Sequence, residues 1–167
     1  MRYIDFDGVI LDTEDLLFEK WRENPNRFSL PEEVKIKYIQ DSNWREIVNN
    51  SGIINDSIYI LKNMNPIDNA VLTRIHSLYE GEEKIRFLRE HGVKLEVILA
   101  PYKLKKCEVV DAKNNILIDD SLRNLYEWEQ SGGYSMFFDR DENNIDSWNQ
   151  YNERGYQRVL RIDEKRK

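Results

Sequence analysis

Two short apolar runs, each closing on a pair of aspartates, constrain the fold of this chain more than any other feature. The first is Tyr3-Ile4-Asp5-Phe6-Asp7-Gly8-Val9-Ile10, and the second is Ile116-Leu117-Ile118-Asp119-Asp120-Ser121. Each reads as a strand. In a parallel α/β sheet the C-terminal ends of the strands converge on one edge, where ligands bind. If the two strands are neighbours, four carboxylates meet there. Like charges that close do not all stay ionised unaided, and burying them unpaired is costly. A hard divalent cation with oxygen ligands, Mg²⁺ above all, resolves the conflict. The edge therefore reads as a place for a metal and something anionic.

The rest of the chain supplies such a sheet. Strand character returns at Asn69-Ala70-Val71-Leu72-Thr73, at residues 94–100 with Pro101 closing the run, and at residues 134–138. Residues 80–91 read as an amphipathic helix with Ile85 and Leu88 inward and Gly92 as its stop. A second helix, capped by Ser121, presents Leu122, Leu125 and Tyr126 and ends at Gly132-Gly133. Strands separated by helices argue for βαβ units and a mostly parallel sheet.

Between the first strand and residue 66 the pattern is helical throughout. Leu16, Leu17, Phe18 and Trp21 form a stripe, and Pro31-Glu32-Glu33 opens a helix carrying Val34, Ile36, Tyr38 and Ile39. Trp44, Ile47 and Val48 mark another helix, and Asp56 is placed to cap one with Ile60 and Leu61. The expected architecture is an α/β three-layer Rossmann-like core with a central parallel sheet. Residues 1–12 and 66–167 make the core, and residues 13–65 form a small helical cap inserted after the first strand. The insertion is placed to act as a lid over the sheet edge.

A chain of 167 residues suits one core domain with a modest insertion. Its net charge of −6 offers no footprint for a nucleic-acid polymer. It leaves room for a small phosphorylated substrate, because a bound cation reverses the local field. Cys107 is the single cysteine, so there is no internal disulfide, which fits a reducing cytoplasm. The opening Tyr3-Ile4-Asp5 does not read as a basic-plus-apolar leader, so no signal peptide is expected, and no apolar run approaches the ~18–20 residues needed to cross a bilayer.

The residue types suggest phosphoryl chemistry. An aspartate can attack phosphorus and carry an acyl phosphate, and a second carboxylate can pass a proton to the leaving group and later activate water. Asp5 and Asp7, two apart on an extended strand, point to one side, and Gly8 allows a close turn. Thr73 ends its strand with a hydroxyl suited to a phosphoryl oxygen. Of Lys103, Lys105 and Lys106, one lysine reaching the site would balance the carboxylates, leaving two solvated. His76 and His91 join no constellation, Cys107 has no base partner, and Trp21, Trp44, Trp128 and Trp148 read as packing residues.

Together these residues resemble the haloacid-dehalogenase-like phosphohydrolase superfamily. Asp5-Phe6-Asp7-Gly8-Val9-Ile10 resembles its first motif, Thr73 its second, a lysine before the last strand its third, and Ile116 to Asp120 its acidic fourth. The segment from Lys106 to Val109, then Ile116 to Ser121, Asn124-Leu125 and Gly132-Gly133 is similar to the 5′-nucleotidase C-type, or deoxyribonucleotidase, branch and its bacterial and phage relatives. The resemblance implies a Mg²⁺-dependent phosphatase acting on a nucleoside monophosphate, with a C1-type cap. It implies Asp5 as nucleophile and metal ligand, and Asp7 as general acid/base with its backbone carbonyl on the metal. Thr73 and Lys106 (or Lys105) would hold the phosphoryl group. Asp120 would ligate the metal, with Asp119 direct or through water.

Three rivals stand beside that reading. One is a phosphosugar mutase of the same superfamily, which the 66 positions between Asp7 and Thr73 disfavour by leaving a small cap. Another is a catalytically silent binding protein. The last is an end phosphatase for polynucleotides, which the acidic charge opposes. The aromatics Trp148, Tyr151 and Tyr156 mark either an interface or packing of the tail from 139 onward.

Overall fold

The computed structural model describes residues 1–140 and 155–166. Trp148 and Tyr151 lie outside the described residues. Six strands, all parallel, make one sheet: β1 (Arg2–Ile4), β2 (Asn69–Ile75), β3 (Glu96–Pro101), β4 (Ile116–Asp119), β5 (Tyr134–Phe138) and β6 (Gln157–Val159). Their order is β3-β2-β1-β4-β5-β6. The chain winds outward in one direction from β1 to β3 and in the other from β4 to β6. The order reverses between β1 and β4, the point at which open α/β sheets form their crevice.

Register brings the two aspartate pairs together. Ile4 pairs with Val71 on one side and with Ile118 on the other. The Asp5 N–H then donates to the Ile118 carbonyl at 3.0 Å. Asp5 is thereby fixed one residue beyond β1, level with Asp119.

Alternation along the strands sorts side chains to two faces. Ile4, Val71, Ile118, Met136, Phe138 and Val159 share one apolar cluster, whereas Tyr3, Leu72, Leu117 and Phe137 belong to another. The first is covered by α4 (Trp44–Asn50), α5 (Ser57–Asn63) and α6 (Leu78–Glu90), through Trp44, Val48, Leu61, Phe87 and Leu88. The second is covered by α7 (Lys106–Val109) and α8 (Leu122–Gln130), through Val109, Leu125 and Trp128. Helices on both faces of a parallel sheet make the three-layer α/β fold read from the sequence.

Five helices separate β1 from β2: α1 (Thr13–Leu17), α2 (Glu19–Arg22), α3 (Glu32–Asp41), α4 and α5. Ile39, Trp44, Ile47, Ile58 and Leu61 are buried in the same cluster as Ile4 and Val71. Much of the 13–65 segment is thus continuous in packing with the sheet.

Local details depart from the sequence reading. The stripe from Leu16 to Trp21 is broken at Phe18 into α1 and α2. Asp56 adopts φ +58° and makes no side-chain cap, so α5 starts instead with the Ser57 hydroxyl donating to the Ile10 carbonyl at 2.9 Å. Tyr126 is exposed, and Trp128 takes the inward place on α8. On α6 the buried face runs through Gly81, Lys84, Phe87 and Leu88, leaving Ile85 half-buried. Residues 157–159 form an edge strand, with Tyr156, Val159 and Ile162 buried, so the described part of the tail packs on the core. No helix among the described residues is long and apolar enough to cross a membrane.

Candidate active site

The C-terminal ends of β1 and β4 hold a buried ion cluster. Lys106, the first residue of α7, places its ammonium 2.6 Å from Asp5 Oδ1 and 2.7 Å from Asp119 Oδ2. Lys106 is 2% exposed, whereas Lys103 and Lys105 are exposed. Asp119 is wholly engaged. Its Oδ1 accepts from the Ser121 N–H at 2.8 Å and from Asn124 Nδ2 at 3.2 Å, and its Oδ2 accepts from Asn124 Nδ2 at 2.9 Å besides Lys106. Asn124 is held by α8, which Ser121 caps.

Asp120 closes the cluster from the other side. One oxygen each from Asp5, Asp119 and Asp120 lies within 4.8 Å of the others. Gly8, with φ +74°, makes room for it: a Cβ there would stand 2.0 Å from Asp120 Oδ2. Only glycine accepts both that backbone conformation and that approach. Three oxygen donors at this spacing fit a small, hard cation.

The electrostatics of the cluster point the same way. Burial, with Asp119 and Asp7 nearby, pushes the Asp5 carboxyl up to about 7, and Lys106 offsets only part of this. Burial, then Asp119, Asp5 and Glu14, holds Asp120 well above the usual carboxylate range. Burial pulls the Lys106 ammonium down, but Asp119 and Asp5 outweigh it and leave its pKa raised. One lysine does not neutralise three carboxylates.

Asp7 does not join that cluster with its side chain. Beyond Ile4 the chain leaves the strand conformation and turns through Gly8, so the same-side alternation expected of Asp5 and Asp7 ends. Asp7 Oδ1 accepts from Thr13 Oγ1 at 2.7 Å, and Oδ2 accepts from Lys84 Nζ at 2.5 Å. Three of the four expected carboxylates therefore meet, and the fourth stands apart on its own cation. Thr73 does not end its strand, since β2 runs on to Ile75, and it is fully buried; its Oγ1 lies 3.4 Å from Asp7 Oδ2 and accepts from Lys84 at 3.2 Å.

Lys84 and its partner Glu80 escaped the sequence reading. Glu80 Oε1 accepts from Lys84 at 2.7 Å, and its Oε2 accepts from the His76 backbone N–H at 2.7 Å. The His76 ring lies 3.4 Å from the same carboxylate and stacks on Tyr102, so His76 does belong to a constellation. The available signal was position: Lys84 lies three residues after Gly81 and four before Leu88, on the inward face of α6. A cavity of about 590 Å³ opens between α1, α3 and α4, lined by Leu17, Tyr38, Asn43 and Ile47 among others, and it includes none of these site residues.

No protein-family profile matches the chain, and no curated protein matches it in sequence. Solved structures do resemble it. A phosphonoacetaldehyde hydrolase-like protein from Oleispira antarctica superposes with a TM-score of 0.58 at 12% identity, over 96% of this chain and 87% of that one. The D,D-heptose 1,7-bisphosphate phosphatase of Burkholderia thailandensis gives a TM-score of 0.50 at 11% identity, over 86% and 81%. At these identities the likeness is one of fold alone: an α/β fold with a parallel central sheet and helices on both faces.

Proposed function

We propose that this chain, sharing the fold of those two hydrolases, is a Mg²⁺-dependent phosphatase that hydrolyses a small phosphomonoester, a nucleoside monophosphate, through an aspartyl phosphate on Asp5. The observation that carries the reading is the pairing of a buried Asp5 with Lys106 in one cluster while Asp7 stands outside it with separate partners. Two carboxylates in different surroundings suit two different tasks.

The donor set fits the metal. Asp5, Asp119 and Asp120 would offer carboxylate oxygens, and the motif resemblance adds the Asp7 backbone carbonyl. Asp119, which also fixes Lys106, would meet the metal directly or through water. When bound, Mg²⁺ supplies positive charge that lowers the Asp5 and Asp120 pKa values and balances the incoming phosphate.

The chain's own residues account for the rest. An Asp5 oxygen forms a bond to phosphorus as the ester P–O bond breaks, and Asp7, in its carboxylic acid form for this step, gives its proton to the departing oxygen. Lys106 and Thr73 neutralise and orient the phosphoryl oxygens. Asp7, now a base, takes a proton from water as that water attacks phosphorus. The bond to Asp5 breaks, inorganic phosphate leaves, and both aspartates return to their starting forms. A nucleoside monophosphate is supported by the likeness of Lys106-Cys107-Glu108-Val109 and its downstream segment to the 5′-nucleotidase C-type branch. A cytoplasmic setting fits the lone Cys107.

The test is phosphate release from a panel of ribo- and deoxyribonucleoside monophosphates and phosphosugars, with Mg²⁺ and with chelator. Metal-dependent release, best from a nucleotide, is expected. An isomerised phosphosugar would indicate a mutase, and Mg²⁺ binding with no turnover a binding protein.

A further inference from the structure

Lys84 is completely buried, yet one of its partners reaches the site's opening. Its ammonium donates to Glu80 Oε1 and to the Arg74 carbonyl (2.7 and 3.1 Å) on the protein side, and to Asp7 Oδ2 at 2.5 Å on the site side. It also lies 5.0 Å from the ring centre of Trp44 and 5.4 Å from that of Phe6. Glu80 is itself fixed twice: its N–H donates to the Ser77 hydroxyl capping α6, and its carboxylate accepts from the His76 N–H. The Asp7 side chain keeps 27% of its surface exposed, and Thr13 holds its other oxygen.

Packing alone does not call for this arrangement. Between Gly81, Leu88, Phe6 and Trp44 an apolar side chain would fill the same space, and a buried ion pair adds little stability over such a replacement. What the pair does supply is direction. Asp7 lies past the end of β1, on a turn, where only the Thr13 and Thr73 hydroxyls would otherwise hold its side chain. With Thr13 on one oxygen and Lys84 on the other, the carboxylate has one orientation. Lys84 in turn has one position, because Glu80 is anchored to the backbone where β2 passes into α6.

We infer that Lys84, set by Glu80, is a positioning residue that aims the Asp7 carboxylate at the leaving group. The inference rests on the phosphatase reading. It requires that loss of Lys84 damage proton delivery to a basic leaving group more than attack by Asp5.

Two substrates separate those effects. Glycerol phosphate leaves as an alkoxide and needs a proton; p-nitrophenyl phosphate leaves as a stable phenolate and does not. In Mg²⁺ buffer, Lys84→Met is expected to lower kcat/KM for the alkyl ester about 100-fold and for the aryl ester less than about 10-fold. The double variant Glu80→Gln with Lys84→Met, which removes the buried Glu80 charge together with its cation, should show the same split. Equal losses on both esters in an active, folded protein overturn the positioning role alone. Wild-type protein that releases phosphate from neither ester nor from any nucleoside monophosphate overturns the phosphatase reading and this role with it. Should both variants fail to fold, ¹⁵N-lysine spectra of wild type and Asp7→Ala decide: a displaced Lys84 ammonium signal upholds the pairing, and an unchanged one rejects it.

Discussion

The Lys106 ammonium lies 2.6 Å from Oδ1 of Asp5, and both residues are buried. Lys106 also reaches Asp119, so a single cation is shared between a carboxylate with free lone pairs and one whose oxygens are fully occupied. Removing it would leave two carboxylates uncompensated in the interior. Lys106→Met is expected to cost roughly 3–5 kcal/mol of stability and to lower turnover by about 10²–10³-fold. Chemical denaturation and steady-state phosphate release check the two parts. Adding Asp119→Asn should recover much of the stability and none of the activity.

Gly8→Ala should act through Asp120. The added Cβ would overlap Asp120 Oδ2, and the φ of +74° strains any side chain. Destabilisation of at least ~1–2 kcal/mol is expected, together with a tenfold or greater loss of Mg²⁺ affinity by calorimetric titration. Unchanged affinity would detach Asp120 from the metal.

Stability should fall as pH rises through the Asp5 transition when metal is absent. The Asp5 pKa is raised to about 7 and that of Asp120 is also well above its ordinary value, so the folded state holds protons that the unfolded chain has released. The stabilisation from Asp5 is complete below the ordinary carboxylate range and is lost above about 7, and Asp120 adds a loss of the same sign as pH rises. The lowered Glu80 acts below this window, and the raised Lys84 and Lys106 act above it. In chelator, melting temperature should drop between pH 5 and pH 8, and Mg²⁺ should restore it at pH 8. Asp5→Asn should flatten the profile; a wild-type curve that rises over this range contradicts the assignment.

Gly133→Ala tests the packing under the site's second face. A Cβ there would stand 2.2 Å from Trp128 Nε1 and 2.8 Å from the Ala112 carbonyl oxygen. Trp128 is fully buried and donates to the Asn115 carbonyl at 3.1 Å, so it has no room to yield. A loss of ~1–3 kcal/mol is expected from overpacking, read by thermal melting, with the metal affinity unchanged.

Much of the site was legible because its signals are local. Ile116-Leu117-Ile118 before Asp119-Asp120 announces a strand ending at an edge, and Ala70-Val71-Leu72 announces a strand too, though it runs past Thr73 to Ile75. Parallel pairing then leaves little freedom in where those ends meet. Lys84 was not legible for a physical reason. Set among Glu80, Glu83 and Arg86, it reads as a solvated i,i+4 partner, and choosing Ile85 as the inward residue rotates the helix by about one position. Asp7 misled because strand alternation was carried past the strand's end, where Gly8 turns the chain. The edge strand Gln157–Val159 is three residues long and owes its existence to pairing with Tyr134–Phe138, a distant partner no local pattern reveals.

The central claim is that Asp5 carries the phosphoryl group. It is tested most directly by quenching the enzyme during turnover of its best substrate and reducing with borohydride, which converts an acyl phosphate to the alcohol. Homoserine at position 5, found by peptide mass spectrometry and absent when substrate is omitted, is the expected result. Sustained turnover with unmodified Asp5, or homoserine at another aspartate, would contradict the account.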